Sequence, residues 1–292
     1  MTELDAYLIP AVDGVAYGLL LFVVAAGLTL AFGVGDVLNL AHGTLFAFGA
    51  YAAAKVSDGS WGSLAVAVLI GTATAAAGGA VLSVLLVPLA GRGHLAQALL
   101  TFGVALVVGD LLVTVFGPDE LPVTVPASLD RSVDIAGHSY PGYRLAFIGV
   151  AALIAVALYV VVARTRAGSL VRATVDDRDM VAMLGVDPFK VRTGVLAVGG
   201  ALAGLAGALG APIIGPGPRV ADLVLLLSLV VVVLGGMGSI GGALVAAIAV
   251  GEIQTVGVTA QPTLAPFLMF GAMAVVLALR AGGLLKSRRI AT

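Results

Sequence analysis

Three polar side chains interrupt a long apolar run near the start of the chain. In GVGDVLNLAHGTLFAFGAY, Gly33 to Tyr51, residues Asp36, Asn39 and His42 follow one another at intervals of three. On a helix they would share one face, and polar side chains inside a membrane span face the bundle interior or a water-filled path. Two roles fit: lining the path of a solute, or satisfying backbone groups where the glycines break a helix. A metal or catalytic role for His42 does not fit, because the other histidines are His94 and His138, no ligand set surrounds any of them, and no cysteine offers a thiolate. Of the acids, Asp110 and Asp222 fall near the ends of apolar runs, where they can meet water, whereas Glu252 falls well inside one and invites a proton-coupling hypothesis. The chain has no G-x-x-x-x-G-K-[ST] phosphate loop, no nucleophile elbow and no H-E-x-x-H. It is therefore read as no enzyme, with no cofactor and no bound metal.

The elements that must position these residues are membrane spans. Hydrophobic residues make up 60 % of the 292, charged residues 11 %, and the mean hydropathy is +1.14, well outside soluble usage. A ruler of about 20 apolar residues per crossing marks candidates at 8–32, 37–56, 63–88, 95–116, 144–163, 193–214, 221–236, 239–258 and 264–282. The fold class expected is all-α, a polytopic membrane protein with about eight or nine transmembrane or re-entrant helices. The doubtful pair are 37–56, with Asn39 and His42 inside it, and 221–236, which is short. Either could be a broken or re-entrant segment. MTELDAYLIP lacks a basic n-region, so the first span is expected to serve as an uncleaved insertion signal. A net charge of −1 leaves no basic face for nucleic acid.

One polar island interrupts the spans. Arg164 to Arg192, RTRAGSLVRATVDDRDMVAMLGVDPFKVR, holds six basic residues against four aspartates. The Lys and Arg bias of short loops places it in the cytoplasm. By parity Arg92 and Arg280, Lys286, Arg288 and Arg289 join it, while Lys55, Arg131, Arg144 and Arg219 fall outside, as do the loop 117–143 and the N-terminus. That loop, with four prolines, reads as an ordered cap or a short hairpin. Within the island, Leu170, Ala173, Met180, Val181 and Leu184 recur at helical spacing, so one amphipathic helix is expected over Ser169–Leu184, stopped by Gly185 and Pro188. Either it lies on the membrane surface or it docks a soluble partner. Gly199, Ala203, Gly207 and Ala211, with Gly200, Gly204 and Ala208 beside them, form two small-residue rows suited to close helix packing. Gly33-x-Gly35 is faintly echoed by Gly236-x-Gly238, each followed by a polar break and a small-residue span.

The island resembles the cytoplasmic coupling loop of ABC-importer permeases of the branched-chain amino acid type, at Thr165-Arg166-x-Gly168, Arg172-Ala173, Asp177, Leu184-Gly185-Val186 and Val191. Asn39-Leu40-Ala41-His42-Gly43, preceded by Gly27-Leu28-Thr29, is similar to the N-[FL]-A-H-G signature of the same family. Val233 to Ala243, VLGGMGSIGGA, is similar to its L-G-G-x-G-S-x-x-G-A block, with Gly241 where members often carry proline. Glu252 falls where they tend to carry an acid, and Thr44 where some do. The resemblance runs from about Gly14 to Glu252. It implies a single permease domain over 1–292 containing a coupling loop at 164–192. It further implies a second, related permease subunit, two ABC ATPase subunits and an extracytoplasmic solute-binding protein around it, in the cytoplasmic membrane. The residues then expected on the substrate pathway are Asn39, His42, Thr44 and Glu252. Those expected at the ATPase are Arg166, Gly168, Leu170, Arg172, Ala173, Asp177, Val181, Leu184 and Gly185. The solute implied is a branched-chain or other hydrophobic amino acid, although related permeases handle urea and amides. An ion-gradient-driven secondary transporter, coupled through Glu252 or His42, or a passive channel would leave the island unexplained.

Overall fold

A computed structural model describes residues 5–35, 37–89, 91–135 and 137–279. Among the described residues the regular elements are helices and one hairpin, in the order α1 (Asp5–Gly35), α2 (His42–Val56), α3 (Trp61–Leu85), a 3-10 turn (Val87–Leu89), α4 (His94–Phe116), β1 (Ser132–Ile135), β2 (His138–Pro141), α5 (Gly142–Arg164), α6 (Arg166–Asp176), α7 (Arg178–Met183), α8 (Pro188–Ile214), α9 (Val220–Gly235), α10 (Ile240–Glu252), a π turn (Ile253–Gly257), α11 (Val258–Ala260) and α12 (Ala265–Leu279). Every apolar run marked by the 20-residue ruler contains a helix. Among the described residues six are long and apolar enough to cross a membrane: α1, α3, α4, α5, α8 and the stretch 240–260. Both doubtful runs hold short helices, and so does 264–282, where α12 has 15 residues. Residues 37–39 are not helical, leaving α2 only 15 residues, and α9 has 16.

Contacts between the connections sort the bundle into two ends. At one end, the Asp13 carboxylate near the start of α1 accepts from Tyr140 of β2 and Arg144 of α5. There too Ser57, just past α2, bonds to Thr124, and the Leu121 amide donates to the Pro216 carbonyl beyond α8. At the other end Arg192 near the start of α8 reaches Ser83 near the end of α3, and Gly238 approaches Gly33. Segments assigned to one side by parity are thus neighbours in space. The two glycine breaks that echo each other in sequence lie side by side.

Helices that are apolar all round can be sorted only by shape, and α8 is where shape decides. Its two small-residue rows divide α1 from α3 and share α2, where Gly49 lies against Gly204 and Ala208. From one row, Gly199 meets Gly27 of α1, where an added Cβ would stand 2.8 Å from the Gly27 carbonyl oxygen. Gly207 of the same row meets Phe46 and Ala50 of α2. From the other row, Gly200 and Gly204 meet Ala75 and Gly71 of α3, a Cβ at Gly204 falling 2.5 Å from Ala75 Cβ. On the far side of α1, Gly18 packs on Ala247 and Ile248 of α10. The core therefore comprises α1, α2, α3, α8, α9 and α10, whereas α4 and α5 present mostly exposed apolar faces. In the loop 117–141, β1 and β2 pair antiparallel, Ser132 with Pro141 through Ile135 with His138.

Candidate functional site

The break before α2 is built from backbone bonds. Asn39 lies ahead of the helix, its Oδ1 accepting from the Ala41 amide at 3.1 Å while its carbonyl accepts from the His42 amide at 3.2 Å. Thr44 Oγ1 donates to the Ala41 carbonyl at 2.7 Å. His42 Nε2 bonds the Val24 carbonyl of α1 at 3.0 Å, and because a carbonyl only accepts, Nε2 is the protonated nitrogen. Val24 sits near the middle of α1, so α2 begins deep in the bundle. Thr101 of α4, which no local pattern singled out, closes the gap: it donates to the Leu38 carbonyl at 3.0 Å and accepts from the Leu40 amide at 3.1 Å. All four side chains are buried. The expectation of one helical face carrying Asp36, Asn39 and His42 is corrected. Asp36 lies outside the described residues, and Asn39 is not on the helix, because its short amide competes for backbone groups as such side chains do at helix starts. At Gly43 the backbone of α2 meets that of α9 at Ala221 with no room for a Cβ.

Glu252 lies within the expected span, eight residues short of its end at Ala260. It is half-buried at the end of α10, and a Cβ on Gly14 would stand 2.7 Å from its carboxylate carbon, which places it at the hairpin end beside Asp13. The span begins at Ile240, as the sequence led one to expect, and runs on past Glu252 through a π turn at Ile253 to Ala260. Asp110 and Asp222 are exposed. The ion pair of this end was not foreseen: Arg144 Nη1 lies 2.5 Å from Asp13 Oδ1, and the buried Tyr140 hydroxyl donates to the same oxygen at 2.7 Å. Burial and then the bond to Asp13 raise the Tyr140 hydroxyl above the ordinary tyrosine value. The partners are more than a hundred residues apart, and no local spacing connects them.

The island is two helices rather than the single one expected over Ser169–Leu184. Asp177 breaks it in an extended conformation and caps α7, accepting from the Met180 amide at 2.8 Å. Aspartate is weak inside a helix and strong at its start. Thr165 likewise caps α6 through the Gly168 amide, at 3.2 Å, while its hydroxyl donates back to the Val161 carbonyl of α5. Gly168 lies against the last carbonyls of α5, Val161 and Val162, where a Cβ has no space, and Arg172 Nη1 donates to the Val162 carbonyl. A cation is well placed at a helix C-terminus. Gly185, at φ +84°, turns the chain after α7, with the Val186 amide bonded to the Val181 carbonyl. This is the six-to-one closure of a glycine-ended helix. Asp187 then caps α8 ahead of Pro188.

The break divides the expected apolar stripe. Val181 is buried, Leu170 is half-buried, and Ala173 and Leu184 are exposed, as are Arg166 and Asp177. The outward apolar surface belongs to α7: Met180, Met183 and Leu184 are 54 %, 81 % and 73 % exposed. At the start of α8, Arg192 is buried, its guanidinium over the Phe189 ring and Nη2 donating to the Ser83 carbonyl at 3.1 Å. Beside it Ser83 Oγ and Thr193 Oγ1 are 2.7 Å apart. Neither contact has a sequence signal. Among the described residues no group of three or more His, Cys, Asp or Glu could hold a metal ion.

Comparison with known proteins adds the following. Residues 11–278 match the family model described as branched-chain amino acid transport system, permease component. The chain is 25 % identical to the high-affinity branched-chain amino acid transport system permease protein BraD of Pseudomonas aeruginosa, over 98 % of this chain and 97 % of that protein. It is 27 % identical to the probable branched-chain amino acid transport permease protein LivH of Methanocaldococcus jannaschii, over 81 % and 76 % of the two chains. To the high-affinity LivH permease protein of Escherichia coli K12 it is 24 % identical over 82 % of each. No solved structure matches it.

Proposed function

This chain belongs to the permease-component family of branched-chain amino acid transport systems, and from that premise we propose that it is the membrane subunit of an ATP-driven ABC importer. It would pass a branched-chain or other hydrophobic amino acid inward across the cytoplasmic membrane. Its partners are a second, related permease subunit, two ATPase subunits and an extracytoplasmic solute-binding protein. The island faces the cytoplasm, and the hairpin end, with β1 and β2, faces the binding protein.

The observation that carries this reading is the outward apolar face of α7, Met180, Met183 and Leu184, held on a segment tied to the bundle on both sides. Exposed methionine and leucine on a short helix among charges suit docking of a soluble partner. Of the candidate coupling residues, Leu184 and Ala173 are then contacts. Arg166 and Asp177 border that contact. Gly168, Leu170, Arg172, Val181 and Gly185 hold the shape. On the pathway, Asn39, His42 and Thr44 keep the broken backbone open beside the solute's route, and Glu252 stands at its outer entrance.

The test is Leu184→Asp. A charge buried without a partner costs several kcal/mol, and about 3 kcal/mol weakens docking more than a hundredfold. The variant inserts normally, loses ATP-driven uptake of leucine, and no longer retains the ATPase subunits on purification. Uptake that survives in this variant and disappears when the ion gradient is collapsed at constant ATP would establish a secondary transporter instead.

A further inference from the structure

Between α5 and α8 the backbone has three points of easy bending: the Thr165 cap, the Asp177 break and the Gly185 turn. A push on α7 would be absorbed there unless side chains bridge past the turns to the spans. Two do so. Arg172 of α6 holds the last turn of α5 through the Val162 carbonyl. Arg192, a turn into α8, holds the last turn of α3 through the Ser83 carbonyl, braced by Phe189 and by the Ser83–Thr193 hydroxyl pair. Each arginine sits at the carbonyl end of a helix that is not its own, where the dipole favours it and a charged donor makes the stronger hydrogen bond. Deeper in the bundle α3 and α8 are already seamed through Gly71, Gly79, Gly200 and Gly204. That seam reaches Leu196 through Gly79, and Arg192 extends it by one turn towards the island.

We infer that Arg192 is a positioning residue for energy coupling: with Arg172 it clamps the island to the ends of α3 and α5, so that displacement of α7 moves the spans instead of bending the turns. This rests on the ATP-driven reading above. It separates the island's residues into those that meet the ATPase, on α7, and those that pass its motion on.

The experiment uses the whole transporter purified in liposomes, with leucine import and ATP hydrolysis read together. In Arg192→Gln the ATPase subunits remain bound and ATP hydrolysis continues. Leucine imported per ATP falls about tenfold, the scale set by losing one hydrogen bond from a charged donor. Arg192→Lys, which keeps the charge and a donor, recovers most of it. Adding Ser83→Cys and Thr193→Cys to Arg192→Gln, in a chain with no other cysteine, restores import when the disulfide is oxidised and loses it again on reduction. The inference is overturned if Arg192→Gln imports as much per ATP as the wild type. It is equally overturned if that variant sheds the ATPase subunits, which would make Arg192 a docking contact, or if the oxidised disulfide fails to restore import or assembly. Wild-type import that needs no ATP would refute the functional reading itself, a result distinct from all of these.

Discussion

His42 is worth most as a tether. Its bond to the Val24 carbonyl joins the start of α2 to the middle of α1 where no water can substitute. Removing one partner of a buried bond costs about 1–3 kcal/mol. His42→Ala therefore lowers the thermal midpoint of the detergent-purified protein, and His42→Gln, which keeps a donor, lowers it less. Gly204 acts by what it lacks. Gly204→Leu thrusts a side chain into Gly71 and Ala75 and overpacks the seam by several kcal/mol, beyond the usual range of about 1–3 for a less confined site. Leu205→Ala, on the half-buried flank of the same helix, leaves more folded protein. Comparison of monodisperse yield checks both; equal yields would show that the α3–α8 seam tolerates bulk.

Elements here are fixed largely by their ends. At the start of α3, Asp58 accepts from the Ser60 amide and the Ser63 hydroxyl, and these bonds, Ser63 foremost, hold its carboxyl down at about 2 against an ordinary 3.8. Since the folded value is the lower one, the contribution to stability is complete above the ordinary value and is lost as pH falls through about 2. Melting followed from pH 5 to pH 2 shows a steeper decline for the wild type than for Asp58→Asn. In the island, Gly185→Ala forces a β-carbon into a left-handed turn at a cost of about 1–2 kcal/mol. Trypsin then cuts the Arg164–Arg192 segment faster than in the wild type.

For the whole molecule the decisive question is which end faces which compartment. A cysteine replacing Val133 on the hairpin is labelled by a membrane-impermeant thiol reagent in intact cells. One replacing Met183, 81 % exposed on α7, is labelled only once the cells are opened, in cells that express the chain without its ATPase partners. The reverse pattern would invert the topology. Thr174, although in the middle of the island by sequence, is buried with its hydroxyl on the Leu170 carbonyl, and a label there would report burial rather than sidedness.

Much of this was legible in residue order alone, because spans, caps and charge asymmetry are local. Apolar length marked every span that the structure contains, charge marked the island, and Gly185 with Pro188 marked where its second helix stops. The small-residue rows of α8 announced close packing, although nothing in them said that one row meets α1, the other α3, and both α2. What only the tertiary structure decided depends on partners far apart in the chain. Asn39 stands outside the helix because Thr101 of α4 supplies its neighbours with backbone bonds. Glu252 lies against Gly14 because α10 packs along α1. Arg172 and Arg192 turn inward because the last carbonyls of α5 and α3 await them. Periodicity tells which residues of one helix share a face, and in a bundle apolar on all sides it cannot tell which neighbour that face will meet.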